Sequence, residues 1–177
     1  MVRHITIEDN RQEFDRLDLE VSKLANVTIF VGVIGKGDNQ DFDLVDLATV
    51  HEFGVTISVT KKMRNWFLAQ GYPLSSSKTK IRIPERSFIR RTADERKMKI
   101  VSVCNQALAA VVSGKYSAKM AVDKIGNYVV SLIQETIKKV SNPPLTQMTI
   151  ELRESGGTSP LQDTGRLWQS IDYEVRW

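Results

Sequence analysis

A histidine followed by a glutamate is the pair in this chain whose chemistry most directly suggests a metal site. His51 and Glu52 stand together as in the zinc motif H-E-x-x-H, but Val55 takes the place of the second histidine and the only other histidine is His4. Zinc sites need three or four such ligands held close together. Because the chain has only one cysteine, we expect no metal site, and we expect His51 to be a packed or partly exposed helix residue.

A glycine-rich stretch at residues 32–37 follows an apolar run, which is the usual place for a phosphate-binding loop. A Walker loop has a glycine five residues before its Gly-Lys pair and a serine or threonine after it. Here Phe30 stands at the first position and Gly37 follows Lys36. The spacing therefore predicts a turn that uses glycines at positive φ, and no nucleotide cofactor.

Groups for nucleophilic or acid–base catalysis are scattered. No serine lies in a G-x-S-x-G stretch, the usual setting of a hydrolase nucleophile. The carboxylate pairs Asp41/Asp43 and Asp94/Glu95 are typical of helix caps and solvated faces. Cys104 stands in an apolar run, which predicts a buried, unreactive thiol. We expect no catalytic residues and no cofactor, and hence a protein that is not an enzyme.

Composition indicates an ordinary folded domain. The 177 residues are 41% hydrophobic and 26% charged, with a net charge of +4, which favours one domain and permits non-specific contact with DNA without requiring it. No apolar run reaches about 18 residues and no secretory core precedes the first acidic residues. With a single cysteine, this predicts a cytoplasmic protein with no membrane contact.

The first part of the chain alternates helices and strands. Apolar spacing predicts a helix at residues 9–25, capped by Asp9 or Asn10. Residues 27–34 predict a strand, and because both of its faces are apolar we expect it to be central in its sheet. Residues 43–53 predict a short helix that Gly54 ends.

Residues 55–83 predict an extended β-hairpin with an irregular tip, called the arm below. Strands at residues 55–60 and 80–83 flank a helical turn at residues 61–70 that carries Trp66 and Phe67. A hairpin of this kind buries little surface of its own. We therefore expect the arm to be stabilised mainly by a neighbouring subunit.

The helical pair at residues 87–139, divided near Gly114, has the wide apolar face of helices that cover one side of a sheet. Residues 163–177 predict a helical turn capped by Asp163 or Thr164 and a final strand that pairs with residues 27–34. The predicted fold class is α+β, a single domain with a small antiparallel or mixed sheet packed against two long helices and an extended β-hairpin arm.

A basic cluster surrounds Phe88 and consists of Arg82, Arg86, Arg90 and Arg91. These side chains are either solvated charges at the start of a helix or part of a contact surface, since arginine beside an aromatic ring is enriched in interface cores. The sequence leaves both interpretations open.

Three stretches in this order resemble the tailed-bacteriophage virion-morphogenesis and tail-completion (neck, head–tail joining) protein family. They are LATVHEFG at residues 47–54, IPERSFIR at residues 83–90 and PLQDTGRLWQSI at residues 160–171. The segment Asn142-Pro143-Pro144-Leu145 is similar to the proline-rich lead-in of that family. The long insert at residues 61–80 departs from the family pattern.

The resemblance implies a virion protein, assembled in the host bacterial cytoplasm, that forms a homo-oligomeric ring between portal and tail, with six subunits and without catalytic, cofactor or metal residues. Its partners would be itself, other neck or connector proteins, and portal-side or tail-tube proteins, with non-specific contact to passing DNA. The motif residues are His51, Glu52, Phe53, Gly54, Pro84, Arg86, Phe88, Asp163, Thr164, Gly165, Leu167, Ser170 and Ile171. The candidate interface residues are Trp66, Phe67, Arg82 and Arg90.

Two other functions fit the same sequence. A tail terminator, which caps the tail tube, is the alternative among structural proteins. A small basic DNA-binding protein is the alternative from another class, and salt-dependent binding would distinguish it.

Overall fold

The computed structural model describes residues 11–34 and 44–177, and it confirms the α+β class predicted from the sequence. The elements in chain order are α1 (Arg11–Ala25), β1 (Thr28–Val33), α2 (Leu44–Phe53), β2 (Val55–Ser58), α3 (Lys61–Ala69), β3 (Lys80–Ile83), α4 (Ile89–Val112), α5 (Ala118–Lys139), α6 (Gln147–Glu151), α7 (Arg166–Gln169) and β4 (Ile171–Arg176). Asp9, Asn10, Asp41, Asp43, His4 and the glycines at 35 and 37 lie outside the described residues.

The first sheet has two antiparallel strands, β1 and β4, in a register that runs from Thr28 opposite Arg176 to Val33 opposite Ile171. The predicted pairing of the last strand is thus confirmed. The prediction that β1 is central is wrong, because within the described residues it pairs with β4 alone. Its second apolar face carries Phe30, which is partly exposed and lies 4.5 Å below the guanidinium of Arg176.

Helix α5 covers the other face of this sheet, and α4 packs along α5. The main hydrophobic core lies between these helices and the sheet, and Phe88, Ile133, Ile137 and Ile171 are buried in it. At the closest approach of α5 to β4, a Cβ atom on Gly126 would lie 2.5 Å from the ring of Tyr173. Only glycine therefore allows this helix–strand distance.

Gly32 was included both in the predicted strand at residues 27–34 and in the predicted turn at residues 32–37, and it lies within β1. A Cβ atom there would meet only Ile89, at 4.0 Å. Helix α4 thus approaches the sheet through its first residue, so both long helices contribute to the layer that packs on the two strands.

A smaller core holds α1 against the other end of the helical pair. It is formed by Ala107, Val111 and Ala121, with Leu24 packed against them. Glu20 of α1 also accepts a hydrogen bond of 2.5 Å from the N–H of Ala118, the first residue of α5. A carboxylate at a helix N-terminus is stabilising, so this contact fixes α1 to the start of α5.

The arm is a separate two-stranded sheet, β2 with β3, that encloses helix α3. The predicted helical turn is thus a helix of nine residues, and Thr60 caps it by accepting from the N–H of Met63 at 3.2 Å. The guanidinium of Arg64 donates to the carbonyls of Ser75 at 2.8 Å and Lys78 at 2.5 Å. Arg64 therefore organises the tip, which the sequence predicted to be irregular.

Candidate functional site

The buried carboxylate of Glu52 is the centre of the site formed by the first two motifs. Glu52 is 4% exposed and lies in the last turn of α2. It accepts hydrogen bonds from the backbone N–H groups of Phe88 (2.8 Å), Ile89 (3.0 Å) and Arg90 (2.9 Å), and from the hydroxyl of Ser87 at 3.0 Å. A residue distant in sequence thus performs the capping that the Phe88 side chain cannot.

Glu52 is ionised at neutral pH. Burial opposes the charge and acts to raise the pKa of Glu52, but the N–H donors of Arg90, Ile89 and Phe88 outweigh it, so the pKa lies below its usual value. All these donors lie at the start of α4 and point at the Glu52 carboxylate, and the helix dipole there also favours an anion. The group therefore acts as a fixed negative charge and not as a proton donor.

Arg90 closes this junction from the solvent side. Its guanidinium donates to Glu52 Oε1 at 3.2 Å and to the Glu52 carbonyl at 2.6 Å, and to Glu85 at 2.8 Å. The same group lies 4.6 Å from the centre of the Phe53 ring, which is largely exposed. Arg90 and Phe53 thus form a rigid, partly apolar surface feature next to the motif core.

Gly54 connects α2 to the arm at a point of close approach. Its φ is +68°, and a Cβ atom would lie 2.8 Å from the backbone nitrogen of Glu85. Pro84 lies in the short segment between β3 and α4. The glycine of the first motif is therefore required by the backbone of the second.

Arg86, one of the four arginines of the basic cluster around Phe88, lies inside the protein. It is 6% exposed, and its guanidinium donates to the carbonyls of Pro143 at 2.9 Å and Pro144 at 3.2 Å. Its own N–H donates to the carbonyl of His51 at 2.8 Å. Neither a solvated charge nor a contact surface describes it, because Arg86 ties α2 to the proline-rich segment.

A cavity of about 330 Å³ lies where the three motif stretches meet. His51 and Arg86 line it together with Asp163, Thr164 and Leu167 of the third stretch. The structure thus brings together residues that are more than 100 positions apart in the sequence. These stretches form one framework around the end of α2.

His51 faces this cavity in its neutral form. Burial, followed by the positive charges of Arg86 and Arg153, lowers the pKa of His51 to about 4. Its Nδ1 atom is buried and has no hydrogen-bond partner among the described residues. The expectation of a packed or partly exposed helix residue is confirmed, since His51 is of intermediate exposure.

The third stretch packs through its apolar residues. Leu167 and Ile171 are 4% and 3% exposed, and the hydroxyl of Ser170 donates to the carbonyl of Leu167 at 2.8 Å. The prediction that Asp163 or Thr164 caps the last helical turn is wrong.

Gly165, at a φ of +78°, is the residue that precedes α7, and no side chain caps it. Asp163 instead accepts from the N–H of Ser155 at 3.2 Å and lies 3.7 Å from Arg153. Its carboxylate therefore stabilises the loop that precedes α7 and does not cap the helix.

The remaining candidate interface residues lie on the arm. Trp66 and Phe67 contact each other edge to face at 5.0 Å, and Trp66 is half exposed. Arg82 is exposed on β3, opposite Thr56. They lie on a different sheet from β1 and β4, so the candidate interface residues form two groups, one on the arm and one at Arg90.

An exposed apolar stripe on α4 was missed by the sequence prediction. It is formed by the apolar side chains of Met98, Val101, Leu108 and Val112, with the polar Asn105 among them, and is called the α4 outer face below. Met98 is 77% exposed and Val112 is 60% exposed. The residues repeat every three or four positions, which places them on one side of the helix.

Helical periodicity predicted one wide apolar face at residues 87–139 and did not separate these exposed residues from the buried ones. The inward side of α4 is already occupied by buried residues, among them Thr92, Ala107 and Val111. The signal that could have revealed the stripe is the run of residues 100–114, which has no charged residue. A helix with one solvated face would carry charges in that run.

The described ranges contain no group of three or more His, Cys, Asp or Glu side chains that could hold a metal ion. Cys104 is only partly buried, which corrects the prediction of a buried thiol, and this burial raises the pKa of the thiol. Among the helices of residues 11–34 and 44–177, none has the length and apolar character needed to cross a membrane.

Comparisons of the chain with protein-family models, with curated proteins and with solved structures found no significant match.

Proposed function

We propose that this chain is a structural virion protein of a tailed phage or prophage, a neck or tail-completion subunit that works in a homo-oligomeric ring at the head–tail junction. Two kinds of observation support this. The stretches that carry the family resemblance form one framework around Glu52 and the neighbouring cavity. The surfaces outside this framework have the character of protein contacts.

The α4 outer face is the observation that carries the proposal. Isolated exposed apolar residues are common, but four of them on one side of a helix, in a stripe without charge along four helical turns, are typical of an interaction surface. Burying apolar surface gains about 25 cal/mol per Å². Association of subunits through this face would therefore stabilise an oligomer without any change in the fold of the subunit.

The arm supplies the second contact surface of the ring. Its strands pair with each other and not with the β1–β4 sheet, and Arg64 holds its tip in one conformation. A preorganised element loses little entropy on binding. Trp66 and Leu68 are exposed on its helix, so the arm offers an apolar surface to a neighbouring subunit.

Contacts between two different surfaces of the same chain close into rings when the rotation between subunits is right. The α4 outer face and the arm are such a pair. Six subunits is the number that the resemblance implies. A neck connector and a tail terminator differ in whether the ring co-purifies with portal-side or tail-tube proteins.

Complementation in a phage or prophage that encodes this chain tests the proposal. We expect a variant in which a short Gly-Ser turn replaces residues 61–80 to give fewer tailed particles, and we expect the wild-type chain to be present in purified virions. A chain absent from virions, combined with normal numbers of tailed particles in the variant, would contradict the proposal. The variant Ser131→Glu, on the exposed side of α5, is the control for a mere change on the surface.

A further inference from the structure

The positive charge of this protein is concentrated in the arm. Six of the 25 Lys and Arg residues lie at residues 55–83, and none of the 21 Asp and Glu residues does. The rest of the chain has 19 basic and 21 acidic residues, a net charge of −2. The mild overall value of +4 therefore hides a basic arm on a slightly acidic body.

Five of the six basic side chains of the arm are exposed, and none forms an ion pair within the described chain. They are Lys61, Lys62, Lys78, Lys80 and Arg82. Arg64 is the exception, because backbone carbonyls of the tip occupy its guanidinium. Elsewhere, exposed basic residues often have a carboxylate partner, as in Lys119 with Asp123 at 2.8 Å. Among residues 11–34 and 44–177, these five cations of the arm therefore have no carboxylate partner.

The strand register places part of this charge on one face. Lys80 lies opposite Ser58 and Arg82 lies opposite Thr56, so two cations and two hydroxyls share the same side of the hairpin. Arginine, lysine, serine and threonine are the side chains that most often contact phosphate oxygens. The opposite side carries Ile57 and Ile81, which leaves that side for protein contacts.

We propose that the basic residues of the arm bind the phosphate backbone of double-stranded DNA without reading its sequence. The observations favour DNA over an acidic protein partner, because the exposed cations are spread over the helix of the arm, its tip and β3, from Lys61 to Arg82, and do not lie on a single element. Binding of this kind depends on counterion release and is strongly weakened by salt. It rests on the proposed ring function and deepens it, because it names the residues through which the ring would contact DNA.

Fluorescence anisotropy with a labelled 30-base-pair duplex tests this inference on the full chain. The arm variant is Lys61→Gln, Lys62→Gln, Lys78→Gln and Lys80→Gln together. The matched control changes Lys23, Lys115, Lys119 and Lys139 to Gln, which removes the same charge from exposed positions outside the arm. Circular dichroism and the oligomer mass of each preparation separate loss of DNA binding from loss of folding or of ring assembly.

We expect the wild-type chain to bind DNA with a Kd that rises steeply with salt. In the arm variant, the slope of log K against log salt should fall by about 3–4, since each lost phosphate contact removes about 0.9. The Kd at low salt should rise at least about tenfold, against less than about threefold in the control. Equal weakening in both variants, or no salt-dependent binding by the wild type, would overturn the inference, and the second result would leave an acidic protein as the partner.

Discussion

The carboxylate of Glu52 accepts a hydrogen bond of 2.8 Å from the N–H of Phe88, 36 residues further along the chain. The last turn of α2 thus caps the first turn of α4, and the arm leaves and returns between these two points. The contact explains why the sequences HEFG and PERSF occur together. They are the two halves of one junction.

Loss of the Glu52 charge should destabilise the fold strongly. We expect Glu52→Gln to lower the free energy of unfolding by about 2–3 kcal/mol, because buried N–H donors lose a charged acceptor. Urea denaturation followed by circular dichroism measures this. Glu85→Gln is the control, since Glu85 contacts only the exposed side of Arg90, and its cost should stay below about 0.5 kcal/mol. Equal effects of the two variants would show that the cap has no special role.

Stability should depend on His51 below neutral pH. The pKa of His51 is about 4 in the folded chain against 6.5 for the free side chain, so the unfolded chain binds more protons between these values. The contribution of His51 to the free energy of unfolding is therefore fully present above pH 6.5 and is lost as the pH falls towards 4. We expect a loss of roughly 1–2 kcal/mol between pH 7 and pH 5.

The variant His51→Leu isolates this effect, because it fills the same position without titrating. Its unfolding free energy should change little between pH 7 and pH 5. Glu52 does not interfere in that range, since its pKa is lowered from 4.5 and its contribution is lost only at more acidic pH. An identical pH profile in wild type and variant would mean that His51 does not carry the dependence.

Gly126 should not tolerate a side chain, although alanine is the better helix former. A Cβ atom would lie 2.5 Å from the Tyr173 ring, and we expect Gly126→Ala to cost about 2–3 kcal/mol despite a gain in helix propensity of about 1 kcal/mol. Thermal and urea unfolding measure the cost. In the double variant Gly126→Ala, Tyr173→Ala the two effects should be far from additive, because the clash is gone. Strict additivity would place the strain elsewhere.

Replacement of Arg86 by lysine should be costly although the charge is kept. A lysine cannot reproduce the two directed donors that reach Pro143 and Pro144, and we expect Arg86→Lys to lower the unfolding free energy by about 2 kcal/mol. The same change at the exposed Arg91 should stay within about 0.5 kcal/mol. If both substitutions are tolerated equally in urea denaturation, the contacts of Arg86 do not stabilise the fold.

The sequence predicted the elements whose signals are local. Helical periodicity placed α4 and α5, and alternation at residues 171–177 placed β4 and its pairing with β1. The family resemblance identified the residues around Glu52 as motif residues. Their roles could not be read from the sequence, because an acceptor for the N–H of Phe88 is defined only by tertiary contact.

The failures also have physical reasons. An apolar run on both faces usually marks a central strand, but β1 has one face on α5 and exposes Phe30 on the other. The α4 outer face was not separated from the buried residues because periodicity does not distinguish an apolar face that meets the same chain from one that meets another chain. The absence of charged residues at 100–114 is the sequence feature that distinguishes an apolar face that meets another chain from one that meets the same chain.

Association through the α4 outer face is the central claim, and the mass of the chain in solution tests it most directly. Light scattering after size exclusion should give a multi-subunit mass for the wild type and for the control Ser131→Glu. Leu108→Glu, at a position that is 44% exposed in the subunit, should run as a folded monomer at the same concentration, with the wild-type circular dichroism spectrum. A wild type that is monomeric at all concentrations, or a Leu108→Glu variant with the full wild-type mass, would contradict the account.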